Sequence, residues 1–179
     1  MEFLKSQKRF SLQYGEKNVW DCEITVSEQE KDDLFVTEYL VSDGLKITNK
    51  AKKYDDFGAY EWVTYFENTS DVPTDMISEL WDADIELPFS AAVFKNSAYL
   101  PDYEKEPIIY HPIGSLAKME DFSMEPDGLQ ISNYRKHLYQ NQTKTFQTSG
   151  GRSSEKEAPF FNVKDEHGGF VFAIGWSGQ

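Results

Sequence analysis

The stretch LFVTEYLVSDGLKIT, from Leu34 to Thr48, decides the fold class of this 179-residue chain. Two runs rich in β-branched and aromatic residues flank the dipeptide Asp43-Gly44, which is the composition of two strands joined by a tight turn. Asp and Gly both tolerate the positive backbone angles that such turns require. The stretch therefore predicts a β-hairpin.

Runs of the same kind recur along most of the chain. They are WDCEITV, YEWVTYF, WDADIELPF, PIIYH, GLQI, TKTFQT, PFFNV and FVFAIGW, and Asp127-Gly128 and Gly168-Gly169 are further turn candidates. The segment SEQEKDD, residues 27–33, fits either one solvated helical turn or a long hairpin loop. Because no helical period is long enough to connect parallel strands, the sequence predicts an all-β fold with antiparallel sheets, in a single domain spanning residues 1–179.

The run WDADIELPF alternates between apolar and acidic residues. Period-two alternation predicts a strand with one buried face. The run FVFAIGW near the end of the chain also alternates, but both of its sets are apolar or small, which predicts a strand with two covered faces. The residues predicted to lie in the core are Trp81, Ile85, Leu87, Phe172 and Ile174. The three carboxylates on the other face could form a hard-cation site or an acid/base pair, but such residues more often form the solvated face of an antiparallel sheet.

Charge and cysteine content narrow the possible partners and compartments. The chain carries 18 basic and 31 acidic residues, a net charge of −13, which disfavours nucleic acid and anionic membranes as partners and leaves neutral ligands such as sugars open. The longest apolar run is too short to span a bilayer, and the first residues do not resemble a signal peptide. Together with the single cysteine, Cys22, these features predict a cytoplasmic protein.

The three histidines, His111, His137 and His167, stand too far apart in sequence for a local metal-binding motif. The chain also lacks the common motifs of nucleotide-binding enzymes, zinc enzymes and serine hydrolases. The sequence therefore predicts no metal and no cofactor. A catalytic histidine with an acid partner, as in sugar mutarotases and epimerases, remains an alternative.

Several blocks, taken in their order, resemble the N-terminal domain of melibiase-type retaining α-galactosidases. They are GGRSS followed by APFF and GGFVFAIGWSGQ, the loop GSLAKMEDFSMEP from Gly114 to Pro126, and YEWVTYFENTSDVPTDMISELWDADIELPF. The resemblance covers most of residues 60–179. One departure stands out: Glu155-Lys156-Glu157-Ala158 replaces the His-Gln-His-Asn that many members carry before Pro-Phe, so contacts made there in relatives are not transferred.

The resemblance implies a large two-sheet antiparallel β-sandwich, the supersandwich architecture of galactose mutarotases, packed beside a downstream catalytic (β/α)₈ barrel. In the family both catalytic carboxyls, which lie about 5 Å apart in retaining enzymes, belong to the barrel. A barrel needs roughly 250 residues and is absent from this chain. We therefore expect a non-catalytic N-terminal domain that ends where the barrel begins. It is expected to contact the barrel and to help shape the α-galactoside pocket. Contacts between copies in a homo-oligomer are a further possibility.

The residues expected to reach the sugar are Gly151, Arg152, Ser153, Ser154 and Trp176. Arg152 offers five donors that can fork onto vicinal hydroxyls or a carboxylate, the glycine allows close backbone approach, and a tryptophan face can stack on galactose. Arg152 could equally be a structural residue paired with a local carboxylate such as Glu155. No residue of this chain is predicted to be catalytic.

Two other functions remain possible for a sandwich of this composition. A stand-alone carbohydrate-binding module would need an exposed aromatic platform, for which Trp62, Trp81 and Trp176 are candidates. A mutarotase-like enzyme would need two of the three histidines and a carboxylate to meet in one pocket.

Overall fold

The computed structural model describes residues 7–89, 108–119, 121–122, 135–137, 145, 147, 152, 154–164 and 167–175. The chain divides into two compact units, Met1–Pro88 and Phe89–Gln179, and each is described by itself. That the whole chain folds as a single domain stays a prediction.

Seven strands form two antiparallel sheets in the first unit. The strands are β1 (Ser11–Tyr14), β2 (Lys17–Asn18), β3 (Ile24–Lys31), β4 (Leu34–Val41), β5 (Leu45–Tyr54), β6 (Ala59–Asn68) and β7 (Ile77–Trp81). One sheet has the order β2-β1-β7, and the other has the order β3-β4-β5-β6. Two short 3-10 helices, Val19–Asp21 and Asp55–Phe57, connect strands.

The predicted hairpin joins β4 to β5. Gly44 has a φ of 101°, its backbone N–H donates to the Val41 carbonyl oxygen at 3.0 Å, and the positive φ explains why the turn uses glycine. The segment SEQEKDD is neither a helical turn nor a long loop. Strand β3 continues to Lys31, directly opposite Leu34, and Asp32 takes a φ of 54° in the tight turn between β3 and β4.

The two sheets of the first unit share one apolar core. Its buried members are Phe10, Leu12, Tyr14, Val19, Tyr39, Val41, Leu45 and Ile47. They come from the segment around β1 and from the inward faces of β4 and β5, where every second residue points inward. Trp20, Cys22 and Ile24 pack against this core, whereas Val26, further along β3, is 52% exposed.

The second unit contains a four-stranded antiparallel sheet. Its strands are β8 (Ile108–Tyr110), β9 (Arg135–His137), β10 (Phe160–Lys164) and β11 (Gly169–Ala173), in the order β11-β10-β8-β9. Gly168, with a φ of 153°, lies in the turn before β11, where the sequence predicted a turn. Phe161 and Phe172 stack across β10 and β11 with ring centroids 5.0 Å apart.

The prediction of an all-β, antiparallel fold is therefore confirmed, and the larger supersandwich stays a prediction. Within the described part of the chain, no helix has the length and apolar character that crossing a membrane requires.

The prediction that WDADIELPF forms one strand with Trp81 in the core is wrong. Strand β7 ends at Trp81, which is 66% exposed, and residues 83–89 form no strand. The Asp82 carboxylate accepts a hydrogen bond from Thr64 Oγ1 at 2.5 Å, and its backbone carbonyl accepts one from Trp62 Nε1 at 2.7 Å. Asp82 therefore satisfies polar groups of β6, and the alternating pattern does not continue as a strand.

Leu87 and Ile85 are half-buried, as is Phe172, but Ile174 is 56% exposed because β11 ends at Ala173. Ile174 thus lies outside the core that the alternation predicted. The prediction that both faces of FVFAIGW are covered is also wrong, because Val171 on the other face of β11 is 74% exposed.

Candidate functional site

Two loops that carry the family resemblance lie against each other in the second unit. We call residues 113–119 and 121 the Gly-Ser loop, and residues 152 and 154–158 the candidate loop. The backbone N–H of Ser115 donates to the Ser154 carbonyl oxygen at 2.5 Å, and that of Gly114 donates to the Lys156 carbonyl oxygen at 2.9 Å. Isolated bridges pair Ile113 with Glu157 and Ser115 with Glu155. The backbone thus joins blocks that are some 40 positions apart in sequence.

Gly114 makes this contact possible. A Cβ atom at this position would lie 2.6 Å from the carbonyl group of Glu157, and closer still to the Ser154 carbonyl oxygen. Real Cβ atoms do not approach backbone atoms so closely, so any side chain would push the two loops apart. The glycine is therefore required by the close approach of two backbones and not by an unusual φ.

The Asp121 carboxylate organises the rest of the Gly-Ser loop. It accepts hydrogen bonds from the backbone N–H groups of Leu116 (2.8 Å) and Lys118 (3.1 Å) and from Ser115 Oγ (2.9 Å). The bond from the Leu116 N–H is the main reason why the pKa of Asp121 is lowered, because these donors favour the charged carboxylate. Asp121 therefore fixes the loop from within.

The residues predicted to reach a sugar are only partly described. Arg152 is exposed, and its carbonyl oxygen accepts a hydrogen bond from the Glu155 N–H at 3.1 Å. Within the described ranges, no carboxylate, Glu155 included, forms an ion pair with its guanidinium. Ser154 is half-buried and holds the Gly-Ser loop through its carbonyl oxygen. Gly151, Ser153 and Trp176 lie outside the described residues.

A buried histidine also binds the candidate loop, and the sequence analysis did not assign it a role there. His111, directly after β8, is only 2% exposed. Its Nε2 lies 2.9 Å from the Ala158 carbonyl oxygen, and its Nδ1 lies 3.2 Å from Glu157 Oε2. The position of His111 at the end of the apolar run PIIY was the available signal, but its partners are 46 and 47 residues away.

This arrangement does not favour mutarotase-like catalysis. A general base needs a nitrogen that can reach the substrate, whereas both ring nitrogens of His111 face groups of the protein and the ring is buried. His167 is exposed, and the side chain of His137 is not among those described. No group of three or more metal-binding side chains occurs among the described residues.

A second polar cluster lies in the first unit, and its side chains hold the fold together. Glu28, Thr37, Asn49 and Thr64 stand directly opposite one another across strands β3 to β6. Arg9, 5% exposed, donates from Nε and Nη2 to Asn49 Oδ1 at 3.0 and 2.7 Å, and burial lowers its pKa. Asn49 Nδ2 in turn donates to Thr64 Oγ1 at 3.0 Å.

The Arg9 carbonyl oxygen also accepts a hydrogen bond from the Asp84 N–H at 2.7 Å. The cluster thus fastens the segment before β1 and the segment after β7 to the large sheet of the first unit. Its groups bind one another, which favours a role in holding the fold.

Of the tryptophans proposed for the aromatic platform of a stand-alone sugar-binding module, Trp62 and Trp81 lie among the described residues, and one of them is exposed. Trp81 is 66% exposed, whereas Trp62 is half-buried, with its indole nitrogen bound to the Asp82 carbonyl. One exposed tryptophan among those that the structure describes gives only weak support for that function.

Comparison with protein-family models, with curated proteins and with solved structures gives no match for this chain.

Proposed function

We propose that this chain is the N-terminal, non-catalytic β-sandwich domain of an α-galactosidase-like retaining glycoside hydrolase. In this proposal it packs on a downstream catalytic barrel and presents the candidate loop to the mouth of the sugar pocket. The protein acts in the cytoplasm and needs no cofactor of its own.

The observation that carries the proposal is the contact between the two loops. The Gly-Ser block and the Arg-Ser-Ser block were singled out because their order resembles the family, and a resemblance of unrelated short blocks would not require them to meet. They meet through backbone bonds from Ser115 to Ser154 and from Gly114 to Lys156. Gly114, part of the first block, is the residue that their close approach requires.

The exposure of Arg152 supports a role in ligand recognition. A guanidinium group presents five donors in one plane, which suits the vicinal hydroxyls of a sugar or a carboxylate beside it. Arg152 lies on a loop that is fastened two residues further along, at Ser154, and again at Glu157. A loop held in this way positions a donor at a smaller entropic cost than a mobile loop does.

The state of the nearby carboxylates supports a non-catalytic role. Retaining hydrolysis uses one carboxylate as nucleophile and a second carboxyl as acid/base, about 5 Å apart, and both must face the substrate. The Asp121 carboxylate is bound by its own loop, and the Glu157 carboxylate contacts His111. Both groups are thus engaged in holding the paired loops.

The proposal is tested with the full-length product of the gene that encodes this chain, compared with the chain alone. We expect the full-length protein to hydrolyse an aryl α-galactoside and the chain alone to show no turnover after host galactosidase has been removed. Turnover by the chain alone would contradict the non-catalytic role. A full-length protein that lacks α-galactosidase activity would contradict the proposed family.

The same chain can be titrated with methyl α-galactoside to separate the proposal from a stand-alone binding module. We expect no saturable binding by the chain alone, because most of the pocket would be supplied by the barrel. Saturable binding that is lost in Trp81→Ala but kept in Arg152→Ala would favour the binding module instead.

A further inference from the structure

His111 is unusual among the polar residues of the second unit because it is buried and binds the candidate loop twice. The ring lies at the end of β8 and reaches two consecutive residues, through Nδ1 to Glu157 and through Nε2 to the Ala158 carbonyl oxygen. Both contacts lie just before β10, which begins at Phe160. The imidazole thus spans from one strand of the sheet to the loop that carries Arg152.

The chemistry of the two acceptors sets the proton requirement of these contacts. A backbone carbonyl oxygen only accepts, so the hydrogen bond from Nε2 requires a hydrogen on that nitrogen. A carboxylate also only accepts, so the contact between Nδ1 and Glu157 Oε2 is a hydrogen bond only when a second proton lies between the two groups. Without that proton, a nitrogen lone pair faces a carboxylate oxygen.

We propose that His111 is the positioning residue of the candidate loop, and that one proton shared between its Nδ1 and Glu157 fastens the loop to the end of β8. Loss of this proton loosens the loop while the bond from Nε2 to Ala158 remains. That the loosening changes sugar recognition by Arg152 rests on the proposed function, whereas the fastening itself does not.

Other charged and titratable groups lie on the described elements next to this pair and set the field in which the proton is held. The candidate loop and Gly-Ser loop contribute Arg152, Glu155, Lys156, Lys118 and Asp121, and the adjoining strands contribute Tyr110 and Lys164. Lys164 Nζ lies 5.8 Å from the centroid of the Tyr110 ring.

The sharpest variant is Glu157→Gln. An amide group can donate to an unprotonated Nδ1, so this variant can keep the second bond without the shared proton. Its matched control is Glu155→Gln, which removes the same charge two residues earlier in the same loop and leaves the pair intact.

The experiment measures two quantities on the intact chain between pH 5 and pH 9, namely the nitrogen-15 shifts of the His111 ring and the hydrogen-exchange protection factors of the Ser115 and Ala158 amides. These amides donate across the loop contact, to the Ser154 and Pro112 carbonyl oxygens. In the wild type we expect protection to be roughly tenfold higher when the nitrogen-15 shifts show a proton on both ring nitrogens than when they show only one, the ratio for one charge-assisted hydrogen bond. Glu157→Gln should keep its protection over the same range, and Glu155→Gln should behave as the wild type does.

The proposal is wrong if the nitrogen-15 shifts show only one ring proton at every pH, if the two protection factors are the same with one and with two ring protons, or if Glu157→Gln follows the wild type. The wild-type measurement decides the matter even if a variant folds poorly. Because no sugar is present, fastening observed together with an inactive full-length protein would refute the proposed function alone. An active full-length protein without fastening would refute this inference alone.

Discussion

The two units of this chain hold their strands together in different ways. In the first unit, strands β3 to β6 pair in sequence order with unbroken registers. The core on their inward face is apolar except for the buried polar cluster around Arg9 and Asn49. In the second unit, β8 pairs with β9 and with the distant strand β10, which begins at Phe160. The Gly-Ser loop and the candidate loop meet at Gly114, and His111 and Glu157 form a further contact. Short connections specify a pairing locally, whereas distant segments need a specific contact to find each other.

The comparison predicts that the first unit depends most on its apolar interior. Phe10 is 1% exposed and packs against the rings of Trp20 and Tyr39, with centroids 4.8 and 5.6 Å away. Phe10→Ala should lower the free energy of unfolding by about 3–5 kcal/mol, the cost of removing a buried aromatic ring. Urea unfolding followed by circular dichroism measures this loss.

The control for this prediction is Tyr65→Ala, because Tyr65 lies on the outward face of β6 and is 50% exposed. It should cost much less than Phe10→Ala. Equal losses in the two variants would show that the interior around Phe10 does not dominate the stability of this unit.

The stability of the second unit should depend on the glycine at position 114. Gly114→Ala places a Cβ where the candidate loop already lies, and we expect a loss of about 1–3 kcal/mol from the forced separation of the two backbones. The matched control is Gly175→Ala, because no atom lies within 4 Å of a Cβ added there. Thermal unfolding and the exchange rate of the Ser115 amide report the difference, and identical behaviour of the two variants would contradict the close approach.

Alkaline pH should act on the first unit through Tyr14. Burial, assisted by the hydrogen bond from its hydroxyl to Asp43 at 2.5 Å, raises the pKa of Tyr14 to about 12. Because the folded state favours the protonated hydroxyl, its contribution to stability is complete below pH 10 and is lost as the pH rises towards 12. Unfolding free energies measured from pH 9 to 12 should therefore fall less steeply in Tyr14→Phe than in the wild type, with Tyr65→Phe as the control. A parallel fall in the wild type and in Tyr14→Phe would refute this assignment.

The contrast between the units also explains which parts of the fold were predictable from the sequence. The hairpin at Asp43-Gly44 and the turn at Gly168-Gly169 were predicted because their signals lie within a few residues. The exposure of Trp81 was not predictable, because the alternation around it cannot show that Asp82 is needed by Thr64 and Trp62 on another strand. Hydrogen bonds to residues far away in sequence can therefore override a local alternation pattern.

The candidate site follows the same rule. The sequence blocks predicted which loop carries the candidate sugar contacts. The exposure of Arg152 agrees with the expectation of a surface donor. The role of His111 required the structure, because nothing near it in sequence indicates Glu157 or Ala158 as partners.

The central claim is that Arg152 recognises a ligand and does not hold the fold, and one pair of measurements on Arg152→Ala tests it most directly. We expect the melting temperature of the chain to stay within about 2 °C of the wild type, because exposed side chains without special contacts contribute within about 0.5 kcal/mol. In the full-length protein we expect α-galactoside turnover to fall roughly ten- to hundredfold, because a charge-assisted hydrogen bond is lost. The control is Lys118→Ala, which removes another exposed cation of the same unit and should change neither quantity. A clear drop in the melting temperature of the chain, with galactoside turnover unchanged, would contradict the claim and make Arg152 a structural residue.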